Sequence, residues 1–307
     1  MKSQCASHVL MVRPSAFHYN AQTAVNNSFQ QPGEPSATVQ ASALEEFDGL
    51  ARLLEENGVE VLIMHDTPAP PKPDAVFPNN WISFHSNGTL VLYPMFAPNR
   101  RLERSPQMIE RFRDKFRVKS ILNLTEHEKQ GQYLEGTGSL VLDRKDHLAY
   151  ACLSERTDAA LVDRFSKKMG YRAVTFYASD AEGNPIYHTN VMMSVGDAFA
   201  LVCLESLHDN LERQALKERL ERHGREVIEI DMGQMNAFAG NILQLQSAQK
   251  EILIVMSSGA FAAYRPEQLE RLAQHGKIIH TPLTTIETHG GGSARCMIAE
   301  IFNSSYF

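Results

Sequence analysis

Three residues that could together supply a thiol nucleophile, its proton carrier and a group to orient the carrier stand far apart in this chain. They are Cys296 in HGGGSARCMIAEIF, His188 in YHTNVMM and Glu135 in YLEGTGS. A cysteine directly behind three glycines has two readings. It is a nucleophile on a loop whose glycines let substrate approach the backbone, or a small buried residue opening the strand CMIAEI. On the first reading, Arg295 beside it and an imidazolium at His188 would both favour the thiolate. The other cysteines point elsewhere: Cys152 in AYACL and Cys203 in ALVCL have apolar neighbours that predict core packing, and Cys5 is expected in a mobile tail. Without a C-x-x-C pair or a zinc-type Cys/His spacing, no metal is expected.

For the three to meet, the chain must fold back on itself repeatedly, and its pattern predicts that it does. Amphipathic helical stretches occur at SALEEFDGLARLLEENG, SPQMIERFRDKF, DAALVDRFSKKMG, HDNLERQALKERLERHG and RPEQLERLAQHG, several ending in the glycine that commonly terminates a helix. Each precedes a β-branched run: VEVLIM, VKSILNL, YRAVTFYA, REVIEI and KIIHTPL. Most follow two strand-like runs, such as NWISFH with TLVLYPM and NILQL with EILIVM. The unit is therefore β-β-α-β, roughly 50 to 55 residues long and repeated five times. The first strand, HVLMVRP, lacks a leading partner, and the final run, CMIAEIF, can supply one, closing a ring without exposed edges. The expectation is a single α/β domain over residues 1–307 with pseudo-fivefold symmetry. The alternative is two α/β domains sharing the same habit, and the Pro-rich DTPAPPKPDAVF is expected to be a turn between units rather than a linker.

In such a ring the entrances to the leading strands converge on the axis. Those entrances hold Asn79 and Asn80 (FPNNW), Glu135, His188 and Asn190 (HTN), Asn241 (AFAGN), and Arg295 with Cys296. Strand starts are commonly polar, but chance less readily delivers one Cys, one His and one Glu from three separate units. A non-catalytic scaffold would give no reason for that distribution, although one fold hosts many functions.

The totals suit a globular protein: of 307 residues, 43% are apolar and 21% charged, and the net charge is −6. An acidic balance without a Lys/Arg cluster argues against nucleic acid as a partner. No apolar run approaches a membrane span, and the N-terminal run is too short for a signal peptide. A cytoplasmic protein is expected, with no membrane partner. A homo-oligomer is compatible with these totals.

These segments resemble the guanidino-group-modifying superfamily, the pentein fold. HGGGSARCM is similar to the C-terminal cysteine motif of arginine deiminases, and LEGTGSLVLD to the strand bearing the superfamily's catalytic carboxylate. PDAVFPNNW and HTNVM resemble the substrate loop and histidine segment of dimethylarginine dimethylaminohydrolases. The combination looks most like the citrulline-utilisation hydrolase branch. The resemblance implies a five-bladed α/β-propeller and a cofactor-free covalent mechanism: Cys296 attacks the central carbon of a guanidino or ureido group, and His188 transfers protons. Glu135 would hold His188 or the substrate nitrogens. It also implies substrate contacts at Asp74, Asn79, Asn80, Arg101, Arg156, Asn190, Asn241 and Arg295, the arginines at 101 and 156 taking an amino-acid carboxylate. Arg100 and Arg101 have an equally simple reading as a solvated surface pair. Where relatives acting on a guanidinium carry acids, this chain has Asn79 or Asn80, and Asn190. An amide offers donor and acceptor together, as a neutral ureido group requires. A ureido or guanidino amino acid is thus the expected small-molecule partner, with citrulline favoured. Arginine deiminase, dimethylargininase and amidinotransferase activities are the alternatives, and Asp74 keeps an arginine-like substrate open.

Overall fold

The computed structural model describes residues 3–33, 35–116 and 118–302. In chain order the strands are β1 (His8–Arg13), β2 (Glu60–His65), β3 (Ile82–Phe84), β4 (Thr89–Leu92), β5 (Ser120–Asn123), β6 (Val141–Asp143), β7 (Leu148–Cys152), β8 (Arg172–Phe176), β9 (Met193–Val195), β10 (Phe199–Val202), β11 (Glu226–Glu229), β12 (Leu243–Gln246), β13 (Ile252–Ser257), β14 (Lys277–Thr281) and β15 (Ala299–Ile301). They form five three-stranded sheets, each with an antiparallel leading pair and a parallel third strand reached through a helical crossover. The first sheet is completed from the far end of the chain: β15 pairs antiparallel with β1, Leu10 opposite Ala299, and β1 pairs parallel with β2. The sheets are the blades of a five-bladed α/β-propeller.

Local chemistry explains the crossovers. Ser36, Ser105, Asp158 and Asp209 cap the helices Ala37–Glu56, Pro106–Lys115, Ala159–Met169 and Asn210–Arg222, each side chain accepting from a backbone N–H of the first turn. Gly170 ends the third of these in the left-handed region, at φ 75°. The longest helix buries Ala43, Phe47, Leu50, Ala51 and Leu54, one face at helical spacing.

The central strand of each blade is buried, and in the first, second, third and fifth blades its alternating side chains feed two cores, whereas Phe199, Ala200, Leu201 and Val202 of β10 all join one. In β1, Val9 and Met11 join Phe47, Leu245 and Val255, while Leu10 joins Trp81, Ile82 and Phe84. The first blade therefore packs on both the fifth and the second. Val91 of the second blade shares a core with Leu142 and Ala149 of the third, and Tyr150 of the third one with Met193 and Ile254. This continuity of apolar contact carries the chain around the ring. Buried polar pins reinforce it: Arg225 donates to both Asp143 oxygens at 2.9 Å, and Gln4 donates to the Leu142 and Val195 carbonyls at 3.0 Å.

Cys5 is not in a mobile tail: it is buried, its thiol donating to Gln244 Oε1 at 3.2 Å, because Gln4 anchors the segment. The Pro-rich stretch does run between the first two blades, tightened by the buried Lys72 ammonium, which meets Asp66 at 3.0 Å and donates to the Thr67 and Pro70 carbonyls. Among the described residues no helix is long and apolar enough to cross a membrane.

Candidate active site

Each leading strand enters its blade through a tight turn at the hub. Asn79 and Asn80 lie in the turn Pro78–Asn80 before β3. Glu135 and His188 occupy the cap positions of the short helices Gly136–Ser139 and Thr189–Met192, before β6 and β9. Asn241 precedes β12 and Cys296 precedes β15. Glycine permits this crowding. Gly136 has φ 48°, and a Cβ there would lie 2.2 Å from the Asn79 carbonyl oxygen. A Cβ on Gly138 would lie 2.6 Å from Asn80 Nδ2 and 2.7 Å from His188 Nδ1.

Cys296, His188, Asn80, Asp74, Arg100 and Arg156 line one cavity, roofed by Gly290, Gly291 and Gly292. The His188 Nε2–H donates to Glu135 Oε2 at 2.8 Å. Glu135 is fully buried and also accepts from the Phe96 backbone N–H at 2.9 Å, with Arg156 3.5 Å away. Burial alone would raise this carboxyl, but Arg156, His188 and Arg100 outweigh it and hold it down at about 2. Burial lowers His188 to about 4 against the pull of Glu135, so the imidazole is neutral at pH 7, with Nδ1 left as its acceptor nitrogen.

Two carboxamides attend the sulfur. Asn190 Nδ2 and Asn241 Nδ2 donate to Cys296 Sγ at 3.4 and 3.3 Å. The Asn241 amide is oriented by its surroundings, its Oδ1 accepting from the Arg295 N–H at 3.1 Å and its Nδ2 donating to the Asn190 carbonyl at 2.9 Å. Among the described residues, Asn190 Oδ1 is buried without a partner, as are Asn79 Nδ2 and Asp74 Oδ1. Burial raises the Asp74 carboxyl, opposed by Arg100 at 3.8 Å and by donations to Oδ2 from Asn20 at 2.8 Å and Thr23 at 3.0 Å.

Two expected contacts lie elsewhere. The Arg295 guanidinium turns away from the cavity to Glu300 Oε2 at 2.8 Å and the Ile298 carbonyl at 2.9 Å, because the buried carboxylate within its reach lies on β15. Arg101 also points outward. It binds the Met95 and Phe96 carbonyls at 3.0 and 3.1 Å and approaches Glu128 at 3.5 Å, while its neighbour Arg100 takes the inner position. Asn79 is buried behind Asn80, accepting from its Nδ2 at 3.0 Å. Arg156 does face the cavity, stacked 5.0 Å from the Tyr187 ring centroid.

Sequence reasoning missed the cover. Residues 15–31, between β1 and the first long helix, lie over the cavity: Asn26 Oδ1 accepts from Arg156 Nε at 2.8 Å, and Asn27 donates to the Gly291 carbonyl at 3.4 Å. The segment has no hydrophobic period, so no pattern announced it. Arg100 was detectable through R-x-x-E at 100–103, since residues three apart eclipse in the 3-10 turn Pro98–Glu103. Among the described residues no three His, Cys, Asp or Glu side chains converge as a metal site.

A family model described as N,N dimethylarginine dimethylhydrolase, eukaryotic, matches residues 13–303, nearly the whole chain. The chain belongs to that family. Solved structures agree with this dimethylarginine dimethylhydrolase assignment at the level of the fold. ArgZ, an arginine dihydrolase from cyanobacteria, superposes with a TM-score of 0.76 at 19% identity, covering 96% of this chain and 40% of its own. The present chain thus spans less than half of full-length ArgZ. The ArgZ N-terminal domain bound to product gives 0.76 at 20% identity over 96% of this chain and 97% of that domain. A mutant dimethylarginine dimethylaminohydrolase from Pseudomonas aeruginosa in complex with citrulline gives 0.67 at 15% identity, covering 97% and 100% of the two chains. A search of curated proteins finds no match.

Proposed function

We propose that this dimethylarginine dimethylhydrolase relative is a cysteine hydrolase of ureido amino acids that converts citrulline and water to ornithine, carbon dioxide and ammonia. One observation carries the reading: the side chains attending the sulfur are neutral amides, and the acids nearby are already engaged. Glu135 is held by His188 and Arg156, and one oxygen of Asp74 by Asn20 and Thr23. With Arg100 and Arg156 also lining the cavity, a guanidinium cation would meet buried positive charge without a free carboxylate pair to fork onto. A neutral ureido group on a zwitterionic amino acid avoids that cost. Its carboxylate suits the planar fork of Arg156, and its ammonium suits the unpartnered Asp74 Oδ1.

In the reaction, Cys296 Sγ forms a bond to the ureido carbon as its proton passes to neutral His188. His188 returns that proton to the ornithine nitrogen as the C–N bond breaks, leaving an S-carbamoyl cysteine. Water, deprotonated by His188, attacks this carbonyl. The S–C bond breaks, the thiol regains its proton, and the released carbamic acid decomposes to carbon dioxide and ammonia. Glu135 keeps the imidazole in the tautomer with Nδ1 free.

The experiment is a panel of citrulline, arginine, agmatine and methylarginines with products identified by mass. Ornithine from citrulline, lost in a folded Cys296→Ala variant, is the expected result. Citrulline from arginine, with citrulline itself inert, would replace this reading with deiminase chemistry. The partnerless Asp74 oxygen is the feature that favours that second reading.

A further inference from the structure

Arg100 has no acceptor atom, only N–H donors. Nε donates to Glu103 Oε1 at 2.8 Å and Nη2 to Glu103 Oε2 at 3.0 Å, with the Asp74 and Phe77 carbonyls at 3.3 and 3.2 Å from Nη2. This grip leaves Nη1 aimed at the Asn80 side chain, 2.7 Å away. The amide atom facing it has to be oxygen, since a nitrogen would set donor against donor. The orientation of Asn80 is therefore dictated by its partner and not by the near-equivalence of amide oxygen and nitrogen. Its Nδ2 is forced to the opposite end, where one hydrogen goes to Asn79 Oδ1 at 3.0 Å. That nitrogen and His188 Nδ1 both abut Gly138, 2.6 and 2.7 Å from where a Cβ would sit, and Asn80 and His188 both line the cavity that holds Cys296.

We propose that Arg100 is a positioning residue which, through Glu103, locks Asn80 with its second N–H turned toward the reacting group, so that the site selects a carbonyl oxygen over a guanidinium nitrogen. The inference rests on the ureido reading and adds the device that enforces it. A ureido oxygen accepts from Asn80 Nδ2, whereas every guanidinium nitrogen presents a donor to it. Asn80→Asp keeps the shape and retains an acceptor for Arg100. Asn79, whose Nδ2 is now buried without a partner, can rotate its amide to donate to the new carboxylate.

The measured quantity is the ratio of kcat/KM for citrulline to that for arginine, which is internal to one preparation and independent of the fraction folded. N80D is expected to lower the ratio by about a hundredfold or more, since a site built around one hydrogen-bond polarity rejects the other strongly. R100M/E103Q, which removes the lock together with the Glu103 charge and leaves Asp74 to its bonds from Asn20 and Thr23, is expected to lower it about tenfold, chiefly through kcat on citrulline. Wild-type turnover of citrulline with unchanged ratios in N80D and in folded R100M/E103Q overturns the lock alone. If the double variant does not fold, an unchanged N80D ratio overturns it. A wild-type protein that leaves citrulline intact overturns the ureido reading before any variant is made.

Discussion

Replacing Glu135 by Gln tests the centre of the proposed chemistry while changing almost no volume. The carboxylate now serves two donors that cannot both be served by an amide: His188 Nε2–H at 2.8 Å on one oxygen and the Phe96 N–H at 2.9 Å on the other. In the Glu135→Gln variant a single oxygen remains. The backbone N–H of Phe96 cannot change its polarity, so the amide oxygen stays there and the NH2 faces His188. The imidazole answers by moving its proton to Nδ1, the nitrogen that must act as base. A carboxylate-to-amide change that imposes the wrong histidine tautomer lowers turnover by about 10⁴ in a serine-protease triad, and a loss of roughly 10³ to 10⁴ is expected here. Arg156, 2% exposed, also loses the charge 3.5 Å from it. Breaking one side of a buried pair costs about 3 kcal/mol, moderated here by its bonds to Asn26. Steady-state ornithine release and urea denaturation measure the two effects separately. Turnover within about tenfold of wild type in folded E135Q would refute the reasoning, because that is less than a positioned general base contributes.

Gly136→Ala should cost about 3 kcal/mol or more, combining a left-handed backbone with overlap against the Asn79 carbonyl, and should lower kcat/KM by displacing the Asn79–Asn80 turn; thermal melts and kinetics check both. Arg225→Met strands Asp143 between the third and fourth blades and should destabilise by about 3 to 5 kcal/mol, read by urea denaturation, with kcat unchanged in the folded fraction. His188 is held at about 4 in the fold against an ordinary 6.5, so between those values the unfolded chain binds more protons. Its contribution is complete above pH 6.5 and declines as the pH falls to 4; melting temperatures across that window should drop more in wild type than in His188→Gln.

The blades were legible because their signals are local. A helix such as Ala159–Met169 announces itself by its Asp158 cap, apolar face and Gly170 stop, and β8 follows as YRAVTF. The convergence of Cys296, His188 and Glu135 on the hub followed from the repeat, since each stands at the same point of a different unit. What a sequence does not carry is the direction of side chains on neighbouring residues in tight turns. Arg100 and Arg101 are adjacent, yet one enters the cavity and the other leaves it, a choice decided by Glu103 and the Met95 carbonyl. Arg295 touches Cys296 along the chain but answers to Glu300. The cover over residues 15–31 was invisible for a related reason: its Asn and Thr side chains find partners across the molecule, and only the assembled ring supplies them.

That cover has a thermodynamic meaning. Asn26 Oδ1 and the Thr23 carbonyl occupy the guanidinium fork of Arg156, and Asn20 and Thr23 occupy an Asp74 oxygen. On the proposed reading an amino-acid carboxylate reaches Arg156 by displacing the protein's own groups, while the ammonium meets the open Asp74 Oδ1. Affinity is then set by the difference between two sets of bonds, and weakening the internal set would sharpen binding without touching a single residue that performs the chemistry.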